Sequence, residues 1–236
     1  HIPSVILTHQ LKVQSGFGNF TDRAIQKIHY KYLNRFGATW VVDAQNSCGL
    51  AGRLSHTKTL PHHTSYIGLL SRFSPVANAT SGNGPLLVLL SGPEPQRSAL
   101  SRILWQQVQS HNGEVIFVEG TKQAQPPAGI PAHIVWHQQL HGSAAEQAIR
   151  KAGMIVCRSG YSTLMDLAAL QKKAILIPTP GQTEQEYLGQ SLHKQGIFYS
   201  TQQKGFDLNA AITAAQQFPF HALALQQHFN DYERVV

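Results

Sequence analysis

Residues 157–190 read CRSGYSTLMDLAALQKKAILIPTPGQTEQEYLGQ. The stretch opens where an apolar strand, Met154 to Cys157, gives way to a Ser/Gly turn and a helix. A second apolar strand, Ala174 to Ile177, follows, then a Pro/Gly loop and another helix. Two apolar strands joined by one short helix predict a parallel pair, with the loops after both strands on one edge of a sheet. In open α/β sheets that edge binds ligands.

The same alternation extends outward. Upstream come a strand at Leu86–Leu90, the turn Ser91-Gly92-Pro93-Glu94-Pro95 and a helix over Ser98–Gln109. Strands at Val115–Val118 and His133–Trp136 and a helix over Ala144–Lys151 follow. Downstream come a strand at Ile197–Ser200 and a helix from about Leu208 to Gln217. This pattern predicts an α/β fold with a Rossmann-like parallel sheet and helices on both faces. Nearer the start, Ser4–Thr8 is β-like, Ala24–Phe36 is helical and stops at Gly37, and short strands are expected at Thr39–Val42 and Tyr66-Ile67. About three strands are too few for a complete domain of the same type. Residues 1–74 are therefore expected to be the end of an incomplete N-terminal Rossmann-like domain. Residues 75–84, in the turn-rich SPVANATSGNG, are expected as a linker, and 85–236 as the C-terminal domain. The chain is expected to be part of a longer two-domain protein.

Composition narrows the partners. The 236 residues carry 19 Lys+Arg against 12 Asp+Glu, a formal charge of +7, which favours an anionic partner. The basic residues are scattered and form no RNA motif or recognition helix, so nucleic acid is not expected. No apolar run reaches the roughly 20 residues that span a bilayer, and His1-Ile2-Pro3 does not read as a signal peptide. Two distant cysteines, Cys48 and Cys157, suit a reduced, cytoplasmic protein.

Several residues carry chemistry. Arg158-Ser159-Gly160-Tyr161-Ser162-Thr163 leads from strand to helix, where backbone N–H groups and the helix dipole favour phosphate; ordinary N-capping is the other reading. Asp166 lies one turn deeper on the face of Ser162 and Thr163, where it would accept ribose hydroxyls or simply be solvated. Gln182, Thr183, Gln185 and Glu186 follow the second strand and suit sugar hydroxyls, with a Thr183–Glu186 capping box as the alternative. Ser91 and Gly92 end the first strand of the C-terminal domain in a small-residue loop of the phosphate-touching kind. His133, His137 and His141 would align on a helix, but the stretch reads as a strand running into a loop. Residues four apart in a strand lie roughly 13 Å apart, too far to share a metal. No Asp-x-Asp pair stands ready for a divalent cation, so no metal site is expected. His9 follows the N-terminal strand and is a candidate base on the cleft between domains.

RSGYSTLMDLAAL…AILIPTPGQTEQEYLGQ resembles the C-terminal domain of glycosyltransferase family 28, which includes the peptidoglycan N-acetylglucosaminyltransferase acting on lipid I. The weaker SVILTHQL, WVVDAQ and YIGLLSRF are similar to the end of that family's N-terminal domain. The resemblance implies a GT-B fold and an inverting, metal-independent transfer of N-acetylglucosamine or a related sugar from a UDP-sugar. No cofactor is implied beyond that donor. It implies that Asp166 holds the ribose, where the lipid I enzyme has glutamate. Gln185 and Glu186 would contact the sugar, the second being glutamine in that enzyme. Ser91, Gly92, Ser159, Gly160, Ser162 and Thr163 would border the diphosphate. The acceptor, a glycan, lipid or small molecule, is not identified, and the family's glycine-rich N-terminal loop has no counterpart here. A cytoplasmic place, peripheral at the inner face of the plasma membrane, fits the net charge. A UDP-sugar hydrolase or epimerase on the same fold, or a nucleotide-sugar-binding half that needs a partner subunit, are the alternatives.

Overall fold

The computed structural model describes residues 4–13, 18–45, 49–77, 83–221, 226–229 and 231–234. They form two compact units, residues 1–71 with 224–236 and residues 72–223. The second begins a few residues before the expected linker. The last residues, assigned from sequence to the C-terminal domain, belong with the first unit instead. Leu69 N donates to His228 O at 2.9 Å, and His228 Nδ1 lies 2.8 Å from Asp231 Oδ2. Such long-range tethering has no local sequence signature. Cys48 and half of the expected linker, residues 78–82, fall outside the described residues.

The first unit holds β1 (Val5–Thr8), α1 (Asn19–Leu33), β2 (Ala38–Val41) and β3 (Thr64–Tyr66), with the strands parallel in the order β1-β2-β3. A helix between β1 and β2 is what a parallel connection requires. Leu11, Leu33 and Val41 form its buried core. Asp43, just past β2, is fully buried. It accepts from Leu50 N and Ala51 N at 2.9 and 3.1 Å and from Ser55 Oγ at 2.6 Å, which closes the following loop. A buried carboxylate is stable only when its oxygens are matched in this way.

The second unit runs β4 (Leu86–Leu89), α2 (Gln96–Val108), β5 (Val115–Val118), β6 (Ile134–His137), α3 (Gly142–Lys151), β7 (Met154–Cys157), α4 (Tyr161–Ala169), β8 (Ala174–Leu176), α5 (Thr183–Lys194), β9 (Tyr199–Ser200) and α6 (Leu208–Gln217). All six strands are parallel, in the order β6-β5-β4-β7-β8-β9. Numbered from the first of them, that is 3-2-1-4-5-6, the doubly wound order that switches direction between β4 and β7. Val88, Phe117, Val156 and Ile175 share one face and meet Leu100 and Leu104 of α2 and Ala211 of α6. Leu87, Ile155 and Leu176 alternate to the opposite face and are equally buried, as are Leu164 and Leu167 of α4 and Leu188 and Leu192 of α5. Both faces are thus covered, which is why the strands read as continuous apolar runs. Cutting Leu104, which is fully buried, to alanine would cost about 2–5 kcal/mol. No helix among the described residues is long and apolar enough to cross a membrane.

Candidate functional site

The switch between β4 and β7 gathers the loops that the sequence singles out. Leu89 pairs with Cys157, so Ser91-Gly92-Pro93-Glu94-Pro95 and Arg158-Ser159-Gly160 leave neighbouring strand ends at the same edge. β8 pairs with β7 on the other side and brings in Pro178 to Gln182.

Arg158 does not point into this crevice. It is 1% exposed, and its guanidinium donates to Ile177 O and Pro178 O, each at 3.1 Å, and to Gln96 O at 2.8 Å. Burial lowers its pKa to about 10, so it remains a cation beneath the loops. Its expected contact with the nucleotide is corrected accordingly: Arg158 ties the ends of β7 and β8 to the start of α2. Ser159 is likewise buried, and its Oγ donates to Gln185 O at 2.8 Å, fastening α5 to the same point.

Gly160 is the N-cap of α4 and supplies no side-chain cap. A Cβ there would meet nothing within 4 Å. Open space thus lies beside the N-cap of α4, with exposed Ser162 and half-buried Thr163 on the first turn. The loop after β4 differs. Glu94 folds over the start of α2, accepting from Ser98 N at 3.2 Å and Ser98 Oγ at 2.8 Å, and from Arg97. The hydrogen bond from the Ser98 hydroxyl, with the Arg97 guanidinium beside it, holds the Glu94 carboxyl below the ordinary range. Gly92 sits in open space with φ +100.

Asp166, expected to accept ribose hydroxyls or to stand solvated, is not solvated. It is 2% exposed and accepts from Arg72 N at 3.1 Å, Nε at 3.0 Å and Nη2 at 2.6 Å. Arg72 escaped the sequence reading because it stands 94 residues away and carries no motif.

At the start of α5 the expected Thr183–Glu186 capping box is not what the helix start shows: the N-cap is one residue earlier and makes no side-chain cap. Gln182 is the N-cap, and Glu186 Oε1 accepts from Gly181 N at 2.9 Å. Gln185 Oε1 accepts from Thr179 N at 3.0 Å, and its amide donates to Gln182 Oε1 at 2.6 Å. Gln182 and Gln185 thus share one turn with Ser159, whereas Glu186 turns toward a neighbouring cavity. His9 lies in the first unit, half-buried after β1, and shares no element with these residues. His137 ends β6, His141 is the N-cap of α3, and His133 Nε2 lies 3.1 Å from Val108 O. No group of three His, Cys, Asp or Glu residues able to hold a metal occurs among the described residues.

Residues 136–228, which cover β7 to α5 and most of these loops, match the family model of the glycosyltransferase family 28 C-terminal domain. Its C-terminal part is family 28-like. Over 105 residues the chain is 33% identical to the UDP-N-acetylglucosamine–N-acetylmuramyl-(pentapeptide) pyrophosphoryl-undecaprenol N-acetylglucosamine transferase of Desulforudis audaxviator (strain MP104C). That stretch is 42% of this chain and only 28% of the relative. Among solved structures, the calicheamicin glycosyltransferase matches 98% of the chain at TM-score 0.59 and 13% identity, and the chain covers 64% of it. MurG of Acinetobacter baumannii matches 99% at TM-score 0.58 and 17% identity, with 66% of it covered. The spinosyn rhamnosyltransferase, solved with thymidine diphosphate, matches 99% at TM-score 0.57 and 14% identity, with 64% covered. The fold is that of the GT-B glycosyltransferases.

Proposed function

We propose that the chain belongs to an enzyme that moves a sugar, N-acetylglucosamine or a relative, from a UDP-sugar to an acceptor hydroxyl, with inversion and without a metal ion. The observation that carries this reading is the glycine N-cap of α4, with open space beside it, at the switch point of a doubly wound sheet and inside the family-matched stretch. There the first amides of α4, with Ser162 and Thr163, receive the diphosphate, and the loop Ser91-Gly92 borders it. As the glycosidic bond breaks, those fixed N–H groups stabilise the charge gathering on the UDP leaving group. Gln182, Thr183 and Gln185 meet the sugar hydroxyls. Asp166 takes the ribose hydroxyls by yielding its bonds from the Arg72 side chain. A base on the acceptor side removes the acceptor proton, and His9 is this chain's candidate for it. The +7 charge supports recruitment to an anionic inner membrane surface.

Calorimetric titration with UDP, TDP and GDP tests the reading. UDP is expected to bind best and its sugar conjugate to be consumed only with an acceptor present. Binding of none of the three would refute the site, while UDP release without an acceptor would make the enzyme a hydrolase.

A further inference from the structure

A cavity of about 570 Å³ opens in the second unit beside Glu186. One wall is a single stripe of α5, made by Glu186, Gln190, His193 and Lys194. The other is the chain from Ser200 to Lys204, and Pro178 and Pro180 close one end. The walls meet behind Gly189, where a Cβ would lie 2.7 Å from both Pro178 Cγ and Ser200 Oγ. This glycine is what lets α5 come so close.

The lining is graded. At one end stands the Glu186 carboxylate, with one oxygen held by Gly181 N. Lys194 lies eight residues further along α5, about 12 Å by helical rise. Lys204 comes from the opposite wall, and both lysines are exposed. Between the ends, His193 Nδ1 accepts from Ser200 N at 3.0 Å, so the neutral ring carries its proton on Nε2. Gln203 Oε1 is shielded from solvent and has no hydrogen-bond partner among the described residues. The α5 wall thus runs from the Glu186 carboxylate, which suits sugar hydroxyls, to Lys194, which with Lys204 of the facing wall suits an anion.

We infer that this cavity receives a carboxylate-bearing sugar as the distal part of the donor. The inference rests on the nucleotide-sugar reading of the second unit. Gln185 is fastened to Ser159 at the switch point, and the next residue already lines the cavity, so it adjoins the expected sugar end.

UDP-glucose and UDP-glucuronate differ only in the sugar carboxylate and serve as probes. UDP-glucuronate is expected to bind the unaltered chain about tenfold more tightly, the scale of one charge-assisted hydrogen bond. In the double variant Lys194→Gln, Lys204→Gln the two affinities should become equal while that for UDP stays unchanged. Equal affinities in the unaltered chain, or a preference surviving both substitutions, would overturn the inference and leave the nucleotide site intact. If UDP itself fails to bind, the nucleotide-sugar reading falls and takes this inference with it.

Discussion

The loops after β4 and β7 leave paired strands at one edge and each starts a helix, yet they end in opposite states. The start of α2 is closed by this protein's own anion, Glu94, which engages Ser98 and Arg97. The start of α4 is left to Gly160, which brings no side-chain cap and has open space where a Cβ would stand. A helix start attracts anions only where the sequence does not supply one itself. Glycine at such a cap costs only a few tenths of a kcal/mol against a good capping residue. Leaving α4 open is therefore cheap in stability, and its effect falls on what binds there.

The largest effect should come from removing what holds both loops in place. Arg158→Met would leave one buried and two partly buried carbonyls without their donor, and at roughly 1–3 kcal/mol for each orphaned group the cost should reach about 3–5 kcal/mol. Urea unfolding of the second unit reads this directly. A loss below about 1 kcal/mol would mean that other contacts join the segments. Next in size is Gly160→Asp, which gives α4 the kind of closure α2 has. The site has room for the side chain and an extended backbone, with φ −71 and ψ 135, so the melting temperature should hold or rise. UDP affinity should fall by about 100-fold, near 2.7 kcal/mol. Retained affinity would place the diphosphate elsewhere.

What the sequence reveals of this comparison is uneven. Apolar runs such as Leu86–Leu89 and Met154–Cys157, and turns rich in glycine and proline, mark strands and loops by local pattern. The second sheet and the position of its ligand edge are accordingly legible. His133 to His141 also read properly as a strand running into a loop, because β-branched neighbours outweigh the helical spacing of the histidines. What a side chain does at the end of its reach is less legible. Arg158 looks like a phosphate ligand from its place in the turn, but three carbonyls that meet only after folding draw it inward. Asp166 looks solvated until Arg72 arrives from across the fold. Glu94 in the turn gives no sign that it will fold back onto α2. In each case the deciding partner is fixed by tertiary structure rather than by spacing.

Smaller effects sharpen the contrast. Asp166→Asn keeps the shape and removes the charge that faces Arg72. With the carboxylate 3% exposed and the guanidinium 63% exposed, solvent screens one side of the pair. The expected loss is about 1–2 kcal/mol, between surface and buried pairs. Differential scanning calorimetry would show it, and no change would mark the pair as energetically idle.

The smallest effect belongs to Glu94→Gln. The amide oxygen can still accept from Ser98 N, but the negative charge beside the neighbouring open helix start is gone. UDP binding should tighten severalfold at neutral pH and the gain should shrink at high salt, as expected for a screened, exposed charge. The folded-state pKa of Glu94 is lowered from 4.5 by its bonds to Ser98 and Arg97. Its contribution to stability is therefore fully present above that value and is lost as pH falls through the lowered one. Below pH 4.5 the unaltered chain should lose melting temperature faster than the glutamine variant, and the difference in UDP affinity should fade as the carboxylate takes up its proton. If acid leaves that difference unchanged, the charge of Glu94 is not what separates the two helix starts, and the contrast must come from the shape of the two loops.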